Sequence, residues 1–139
     1  MNKNIILFTV LLAINFSCEG ILDLTDPTNP RDNLIDVWTC FEDSEQFKST
    51  TGTYTVEIIK DPTDSSQVLI KNFYNLNTGK YVIAHLSGNR LSVSSQEIEG
   101  FVFNGNGTIS ANYSQIDWSY TVDFPDGDVD NVTAVYNKL

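Results

Sequence analysis

This sequence has few of the residues on which most catalytic and metal sites depend. It contains two cysteines and one histidine, His85, among 139 residues. None of them has the spacing of a zinc site, and the sequence holds no glycine-rich phosphate loop and no serine in a nucleophile-elbow motif. We therefore expect no cofactor and no enzyme. The alternative is a small hydrolase that uses His85, because triad partners meet in space rather than in sequence.

Positive charge is also scarce. Eight lysines and arginines stand against 18 aspartates and glutamates, which gives a net charge of -10. This balance argues against nucleic acid as a partner, because phosphate binding requires a basic surface. A ligand should instead be small and neutral or basic, and a protein partner should present a positive face.

Long hydrophobic runs are absent except near the start of the sequence. Residues 5–14 are apolar apart from Thr9, and Lys3 precedes them. The run is too short for a membrane-spanning helix, which needs about 20 residues. Its length and its basic flank are typical of a secretory signal peptide, and Ser17 and Cys18 follow shortly after it.

The Ser17-Cys18 pair resembles a bacterial lipobox, in which the cysteine becomes the first residue of the mature protein and carries lipid. Asn15 stands where the common lipobox has an aliphatic residue. The resemblance implies a signal peptide over residues 1–17, lipidation of Cys18 and a place in the bacterial cell envelope, on the outer membrane and facing the periplasm or the exterior. More than one acyl chain makes such an anchor stable. The alternative is an ordinary secretory signal in which Cys18 has no role.

Residues 18–33 separate the lipobox from the first regular pattern. Pro27 and Pro30 disfavour helix at the residues before them, and the surrounding Asp, Asn and Thr residues favour turns. We predict a flexible tether here and a single domain over residues 34–139. Removal of residues 1–17 would leave 7 basic against 18 acidic residues, a net charge of -11.

Cys40 has no partner if Cys18 is acylated. An exported domain usually buries a single thiol, since an exposed thiol would oxidise, and Cys40 lies between the apolar Trp38 and Phe41. We predict a buried thiol without a nucleophilic role. A Cys18–Cys40 disulfide is the alternative, and it would require an unlipidated Cys18.

From residue 34 onward, apolar and polar residues alternate in short segments, with a turn signal about every ten residues. The segments cover residues 35–42, 52–60, 67–74, 80–86, 90–94, 98–103, 108–113, 116–123 and 131–138. In the most regular one, a single face carries Ile116, Trp118, Tyr120 and Val122. The pattern predicts an all-β fold, an antiparallel up-and-down meander of about eight strands that closes into a small barrel.

Two segments carry more specific predictions. Residues 80–86 are apolar on both faces, so we expect that strand to be covered on both sides or only partly exposed. Residues 104–107 read Asn-Gly-Asn-Gly, and they predict the clearest hairpin turn of the chain, because Asn and Gly accept positive φ at low cost.

Four short phrases, in this order, resemble a group of small Bacteroidetes-type lipoproteins with lipocalin-like β-barrels. They are Ile-Lys-Asn-Phe-Tyr at 70–74, Gln-Glu-Ile-Glu-Gly at 96–100, Asn-Gly-Asn-Gly-Thr at 104–108 and Trp-Ser-Tyr at 118–120. The resemblance covers about residues 36–138. It implies a lipocalin-like barrel in the cell envelope and assigns no chemistry. True lipocalins carry Gly-x-Trp in the first strand, and Asp36 replaces that Gly here.

Large aromatic residues are the candidates for the wall of a ligand cavity. They are Trp38, Tyr54, Trp118 and Tyr120. The alternative is that these side chains fill the barrel as its core, as large side chains do in small barrels. We expect a lipid-anchored monomer with a binding or structural role, whose partner is a small apolar ligand or an envelope protein.

A weaker candidate is a calcium site at Asp126, Asp128 and Asp130, because calcium takes alternate oxygen ligands from a loop. The run departs from the EF-hand pattern, in which the sixth and twelfth positions are Gly and Glu. Asn131 and Asn137 stand there instead. The alternative is an acidic, solvated loop between two strands.

Overall fold

The computed structural model of the chain describes residues 29–46 and 52–139. The predicted signal peptide, Cys18 and most of the predicted tether lie outside these ranges. Eight antiparallel strands follow one another around a closed barrel: β1 (Asp36–Ser44), β2 (Tyr54–Lys60), β3 (Gln67–Lys71), β4 (Tyr81–Ser87), β5 (Arg90–Ile98), β6 (Phe101–Ile109), β7 (Gln115–Asp123) and β8 (Val129–Lys138). The prediction of an all-β, up-and-down barrel is confirmed. Helix within the described residues is confined to two short 3₁₀ turns, and none is long and apolar enough to cross a membrane.

The barrel closes around the apolar face of each strand. In β7, which is the most regular strand, the predicted apolar face is buried and three of the five polar residues are exposed. The same alternation appears in β4, so residues 80–86 are not covered on both sides, and of the two predicted outcomes the structure shows partial exposure. Tyr81 and Ile83 are 48% and 38% exposed, because they lie on the outer face of a barrel that has only one interior.

Residues 104–107 do not form the predicted turn. They lie in the middle of β6, where Gly105 pairs with Tyr120 and Gly107 pairs with Trp118. A Cβ atom at Gly107 would lie 2.8 Å from the Trp118 ring, and one at Gly105 would overlap Tyr120. The glycines are therefore needed because two aromatic side chains approach the strand closely. The turn before β6 is made instead by residues 99 and 100, which both have positive φ.

The chain joins the barrel through a 3₁₀ turn, Pro30–Asn33, at the end where β1 begins and β8 ends. We call this the closed end. Arg31 is buried, and its Nη1 donates to the carbonyl oxygens of Asp61 at 3.2 Å, Asp64 at 3.0 Å and Gln67 at 3.1 Å. The last residues of the predicted tether therefore belong to the folded domain.

Trp38 fills the barrel at the closed end. Its Nε1 donates to the carbonyl oxygen of Leu34 at 3.0 Å, and both residues are fully buried. Lys138, at the end of β8, holds its ammonium 5.6 Å from the centre of the Trp38 ring and donates to the carbonyl oxygen of Asn33 at 2.9 Å. These contacts fasten the 3₁₀ turn to the first and last strands.

The connection between β3 and β4 folds into the opposite end of the barrel, which we call the polar end. Residues 72–76 form a 3₁₀ turn and its flanks there, and we refer to them as the plug. Phe73 of the plug is buried, with its ring centre 4.6 Å from that of Tyr120 and 5.4 Å from that of Trp118. The predicted strand over residues 67–74 therefore ends before the plug, whose aromatic side chain fills the interior.

The plug has an unfavourable backbone conformation. Asn72, Tyr74 and Asn75 have φ angles of 60°, 56° and 53°. Asparagine tolerates the left-handed region, whereas a bulky residue there is uncommon and costs about 1–3 kcal/mol. The packing of Phe73 and a 2.8 Å hydrogen bond from the Tyr74 hydroxyl to Asp130 hold this conformation in place.

Candidate functional site

Two carboxylic acids lie in the barrel interior near the polar end. Alternation along β1 places Glu42 on the face that also carries Trp38 and Cys40. Alternation along β8 places Asp130 on the same face as Tyr136, and Asp130 is 0% exposed. Acids are rarely buried without partners, so the groups around these two carboxyls define the site.

Asp130 has a complete set of donors. The Ser44 hydroxyl donates to it at 2.6 Å, the Tyr74 hydroxyl at 2.8 Å and the backbone N–H of Gln46 at 3.1 Å. These donors come from the end of β1, the plug and the loop after β1. Asp130 therefore ties the elements of the polar end together, and both of its oxygens are occupied.

Glu42 is half-buried and accepts two hydrogen bonds on one oxygen. The hydroxyls of Tyr54 and Tyr120 each donate to its Oε2 at 2.5 Å. Burial raises the pKa of Glu42, the two tyrosine hydroxyls oppose that rise, and the carboxylate of Asp130 adds to it. In the part of the chain that the structure describes, no hydrogen bond reaches the other oxygen, Oε1.

Two buried polar atoms of the barrel interior have no hydrogen-bond partner among the described residues, the Tyr136 hydroxyl and Trp118 Nε1. Burial, followed by the charges of Cys40 and Glu42, raises the pKa of Tyr136. The Tyr136 hydroxyl therefore stays protonated and lies within electrostatic range of the Glu42 carboxyl. A buried polar group without a partner costs about 1–3 kcal/mol.

A surface depression of about 410 Å³ lies on the outer face of β1 and β8, and Glu42 is among the residues that line it. The lining consists of Phe41, Glu42, Asp43, Gly52, Thr53, Thr133, Ala134 and Val135. It lies beyond Cys40, where β1 stops pairing with β2 but continues to pair with β8. Ala134 pairs with Glu42 across that ladder and is small, so it leaves room beside the carboxyl.

A larger depression, of about 590 Å³, lies on the outer surface of β6, β7, β8 and β1. Asp43, Glu45, Asn104 and Asn131 are among the polar residues that line it, and its described lining includes no lysine or arginine. This acidic and polar lining is complementary in charge to the positive face that we expect a protein partner to present.

The four predicted aromatic residues separate into two groups. Tyr54 and Tyr120 bind Glu42, whereas Trp38 and Trp118 pack within the interior. The sequence analysis missed three participants, Glu42, Tyr74 and Tyr136, and considered Asp130 only as a calcium ligand. Strand alternation could have indicated Glu42, which follows Trp38 and Cys40 on the inward face of β1.

The aspartates proposed for calcium do not converge. Asp126 and Asp128 are exposed in the loop before β8, where Asp126 accepts the backbone N–H of Asp128 at 3.2 Å. Asp130 points into the barrel from β8 and is fully buried, so the solvated-loop alternative describes Asp126 and Asp128 but not Asp130. No group of three or more potential metal ligands occurs within the described residues.

His85 lies on the outer face of β4 and is exposed. Its charge is one of the smaller influences that lower the pKa of Asp64, after the hydroxyl and N–H of Ser66. Cys40 lies inside the barrel, where burial raises the pKa of its thiol to about 12. The two residues with the best chance of nucleophilic chemistry are therefore on opposite faces of the sheet.

No protein-family model matches this sequence, and no curated protein matches it either.

Proposed function

We propose that this chain is a lipid-anchored module of the bacterial cell envelope that binds a ligand and does not catalyse a reaction. The observation that carries the binding role is the interior of the polar end. The half-buried Glu42 has a raised pKa and belongs to the lining of a surface depression, and the interior also holds the buried Tyr136 hydroxyl, which has no partner within the described residues. A barrel that served only as structure would be more stable with apolar groups at these positions.

The topology supports a defined orientation at the membrane. The described chain begins at Asn29, at the closed end, and the acids lie at the polar end. The eleven residue-to-residue steps from Cys18 to Asn29 span at most about 40 Å when fully extended. With lipid on Cys18, the closed end would lie nearer the membrane and the polar end would face away from it, towards a soluble ligand.

Two features support a role without catalysis. His85 is exposed on the outer face of β4, and no described hydrogen bond joins it to a serine or a cysteine. The Cys40 thiol has a pKa of about 12, so almost no thiolate is present at neutral pH.

The anchor is tested by expression of the full chain in a host that processes lipoproteins. The protein should partition into detergent and incorporate labelled palmitate, and Cys18→Ala should abolish both. Palmitate incorporation by the Cys18→Ala variant would refute the anchor.

The absence of catalysis is tested with ester and glycan substrates. We expect no turnover that depends on His85. Hydrolysis that disappears in a folded His85→Ala variant would instead establish the hydrolase alternative.

A further inference from the structure

We propose that the gap between β4 and β5 is a strand-addition site, where an extended segment of a partner protein pairs with the backbone of Tyr81 and Ile83. The partner segment carries apolar side chains at alternate positions, together with basic residues. This interface lies on the outer wall of the barrel and is separate from the buried acids.

Strands β4 and β5 pair only near the hairpin that joins them, and His85 with Ser92 is the pair furthest from that hairpin. On its other side, β4 continues to pair with β3 beyond this point. A bulge between Val93 and Gln96 interrupts the register of β5 with β6, and a bulge bends the strand that contains it. Residues 81–84 therefore form an edge of β4 that no described strand covers.

The polar backbone groups of Tyr81 and Ile83 face this gap. The carbonyl oxygen of Lys80 accepts the N–H of Asn72, which lies on the β3 side. Successive residues of a strand direct their N–H and C=O groups to opposite neighbours. The odd-numbered residues of β4 therefore present both groups to the β5 side, as the ladder of a further strand requires.

A side-chain amide occupies the gap in the free protein. The Gln96 Oε1 accepts the N–H of Ile83 at 2.8 Å, and the Gln96 Nε2 donates to the carbonyl oxygen of Ile83 at 2.9 Å. A neighbouring antiparallel strand exchanges the same two hydrogen bonds with one residue. Gln96 therefore takes the place of a peptide group, and the two backbones are far enough apart to hold its side chain between them.

A peptide strand can replace Gln96 at low cost. Both hydrogen bonds of the Gln96 amide to Ile83 are exposed to solvent, so water can satisfy the amide once it rotates away. The peptide supplies the same two bonds to Ile83 and extends the ladder to Tyr81. The exchange therefore leaves no buried polar group without a partner.

The surface beside the gap suits apolar side chains of the partner. Tyr81 and Ile83 are 48% and 38% exposed, and apolar side chains on an added strand would pack beside them as cross-strand pairs. A depression of about 490 Å³ lies over the gap and is lined by Gly79, Lys80, Tyr81, Ile83, Gln96, Glu97 and Ile98.

Charge favours a basic partner over a second copy of this chain. The net charge of -10 creates a field that attracts a segment with lysines or arginines. The same field makes two copies repel each other when their β4 edges approach. The occupant is therefore a basic extended segment of a different protein.

The test uses the full mature chain in a non-ionic detergent and the fluorescein-labelled peptide Lys-Val-Thr-Val-Thr-Val-Lys-amide. Binding is measured by fluorescence anisotropy and located by amide NMR, with the shifts expected in residues 80–84 and 93–98. The control peptide has the same side chains but carries N-methyl groups on its five central residues. It should bind at least about tenfold more weakly, because it cannot donate hydrogen bonds to β4.

Three variants assign the binding to the gap. Gln96→Ala removes the side chain that competes for Ile83 and should strengthen peptide binding by about threefold to tenfold. Ile83→Thr keeps the branched side chain but removes apolar surface, and it should weaken binding by about threefold. Val37→Thr is the control on the outer face of β1, where Val37 is also 38% exposed, and it should change binding by less than about twofold.

The proposal is overturned if the N-methylated peptide binds as tightly as the parent peptide, or if Gln96→Ala binds the peptide no better than the parent protein. Peptide-induced shifts away from the gap, or the absence of binding at millimolar peptide, would also overturn it. Sedimentation distinguishes a second copy: a dimer that the peptide dissociates would overturn the partner protein in favour of self-association.

Discussion

The two ends of the barrel are built on the same strands but treat buried polar groups differently. At the closed end, Arg31 donates to three backbone carbonyls and Trp38 Nε1 donates to a fourth. Towards the polar end, no described hydrogen bond reaches Oε1 of Glu42, and in the middle of the barrel Tyr136 and Trp118 have buried donors without partners in the described structure. The closed end therefore completes its hydrogen bonds from its own residues, whereas the interior beyond it retains unmet hydrogen-bonding capacity.

Substitution of the two tryptophans should cause the largest changes in stability, and it tests the comparison of the two ends. Trp38→Ala and Trp118→Ala should each destabilise the protein by about 3–5 kcal/mol, because both rings are buried. Substitution by phenylalanine should distinguish the two positions by their loss of stability in denaturant melts. Trp38→Phe leaves the Leu34 carbonyl without its donor and should be about 1 kcal/mol more destabilising than Trp118→Phe, whose Nε1 has no partner to lose.

Asp117→Ala is the matched surface control and should change stability by less than about 0.5 kcal/mol. If Asp117→Ala were more destabilising than Trp118→Ala, the face of β7 assigned to the barrel interior would be the wrong one.

Arg31 tests whether the closed end depends on its hydrogen bonds. Arg31→Met keeps much of the apolar stem but removes donors to three carbonyls, and it should lower the free energy of unfolding by about 2–3 kcal/mol in urea titrations. Arg90→Met, at an exposed position with one long hydrogen bond, should have an effect below about 0.5 kcal/mol. If the two variants lost the same free energy of unfolding, Arg31 would stabilise the protein only through its positive charge and not through its hydrogen bonds.

Tyr136 and Tyr54 test the polar end with the same chemical change. Tyr136→Phe removes a hydroxyl that has no described partner and should stabilise the unliganded protein by up to about 1 kcal/mol. Tyr54→Phe removes a donor to Glu42 and should destabilise it by about 1–2 kcal/mol. Thermal melts of both variants check the signs, and a destabilising Tyr136→Phe would mean that its hydroxyl has a partner in the free protein.

The smallest expected effect is the pH dependence that Glu42 introduces. Burial raises its pKa in the folded state, so the folded protein holds the Glu42 proton more tightly than the unfolded chain does. The resulting stabilisation is complete below the unfolded pKa and is lost as the pH rises through the folded pKa. Relative to Glu42→Gln, the parent protein should therefore lose stability as the pH rises from the ordinary glutamate pKa of about 4 through the raised pKa of Glu42.

Asp117→Asn is the control for this profile, since Asp117 is exposed. Urea midpoints measured across that pH range should change in parallel for the parent and Asp117→Asn. If the difference between the parent and Glu42→Gln did not vary with pH, the raised pKa of Glu42 would be wrong.

The barrel itself could be predicted because period-two alternation is a local property of each strand. Strand β7 and the inward positions of β8 follow from that pattern alone. The glycines of β6 show its limit. Asn-Gly-Asn-Gly is a turn signal in isolation, and only the pairing with Trp118 and Tyr120 on β7 reveals that the glycines make space.

The site was less predictable than the fold because its partners come from distant parts of the chain. Alternation places Glu42 inside the barrel, but its contacts with Tyr54 and Tyr120 depend on the closure that brings β1, β2 and β7 together. The plug could not be predicted from the sequence, for a different reason. Residues 67–74 look like a strand, and a positive φ at Tyr74 has no signal in the sequence.

Amide hydrogen exchange of the free protein tests the difference between the two ends most directly. We predict slower exchange around Trp38 and the 3₁₀ turn at the closed end, where the buried polar groups are hydrogen-bonded, than over residues 41–44 and in the plug at the polar end. Equal protection of the two ends, or faster exchange at the closed end, would contradict this account.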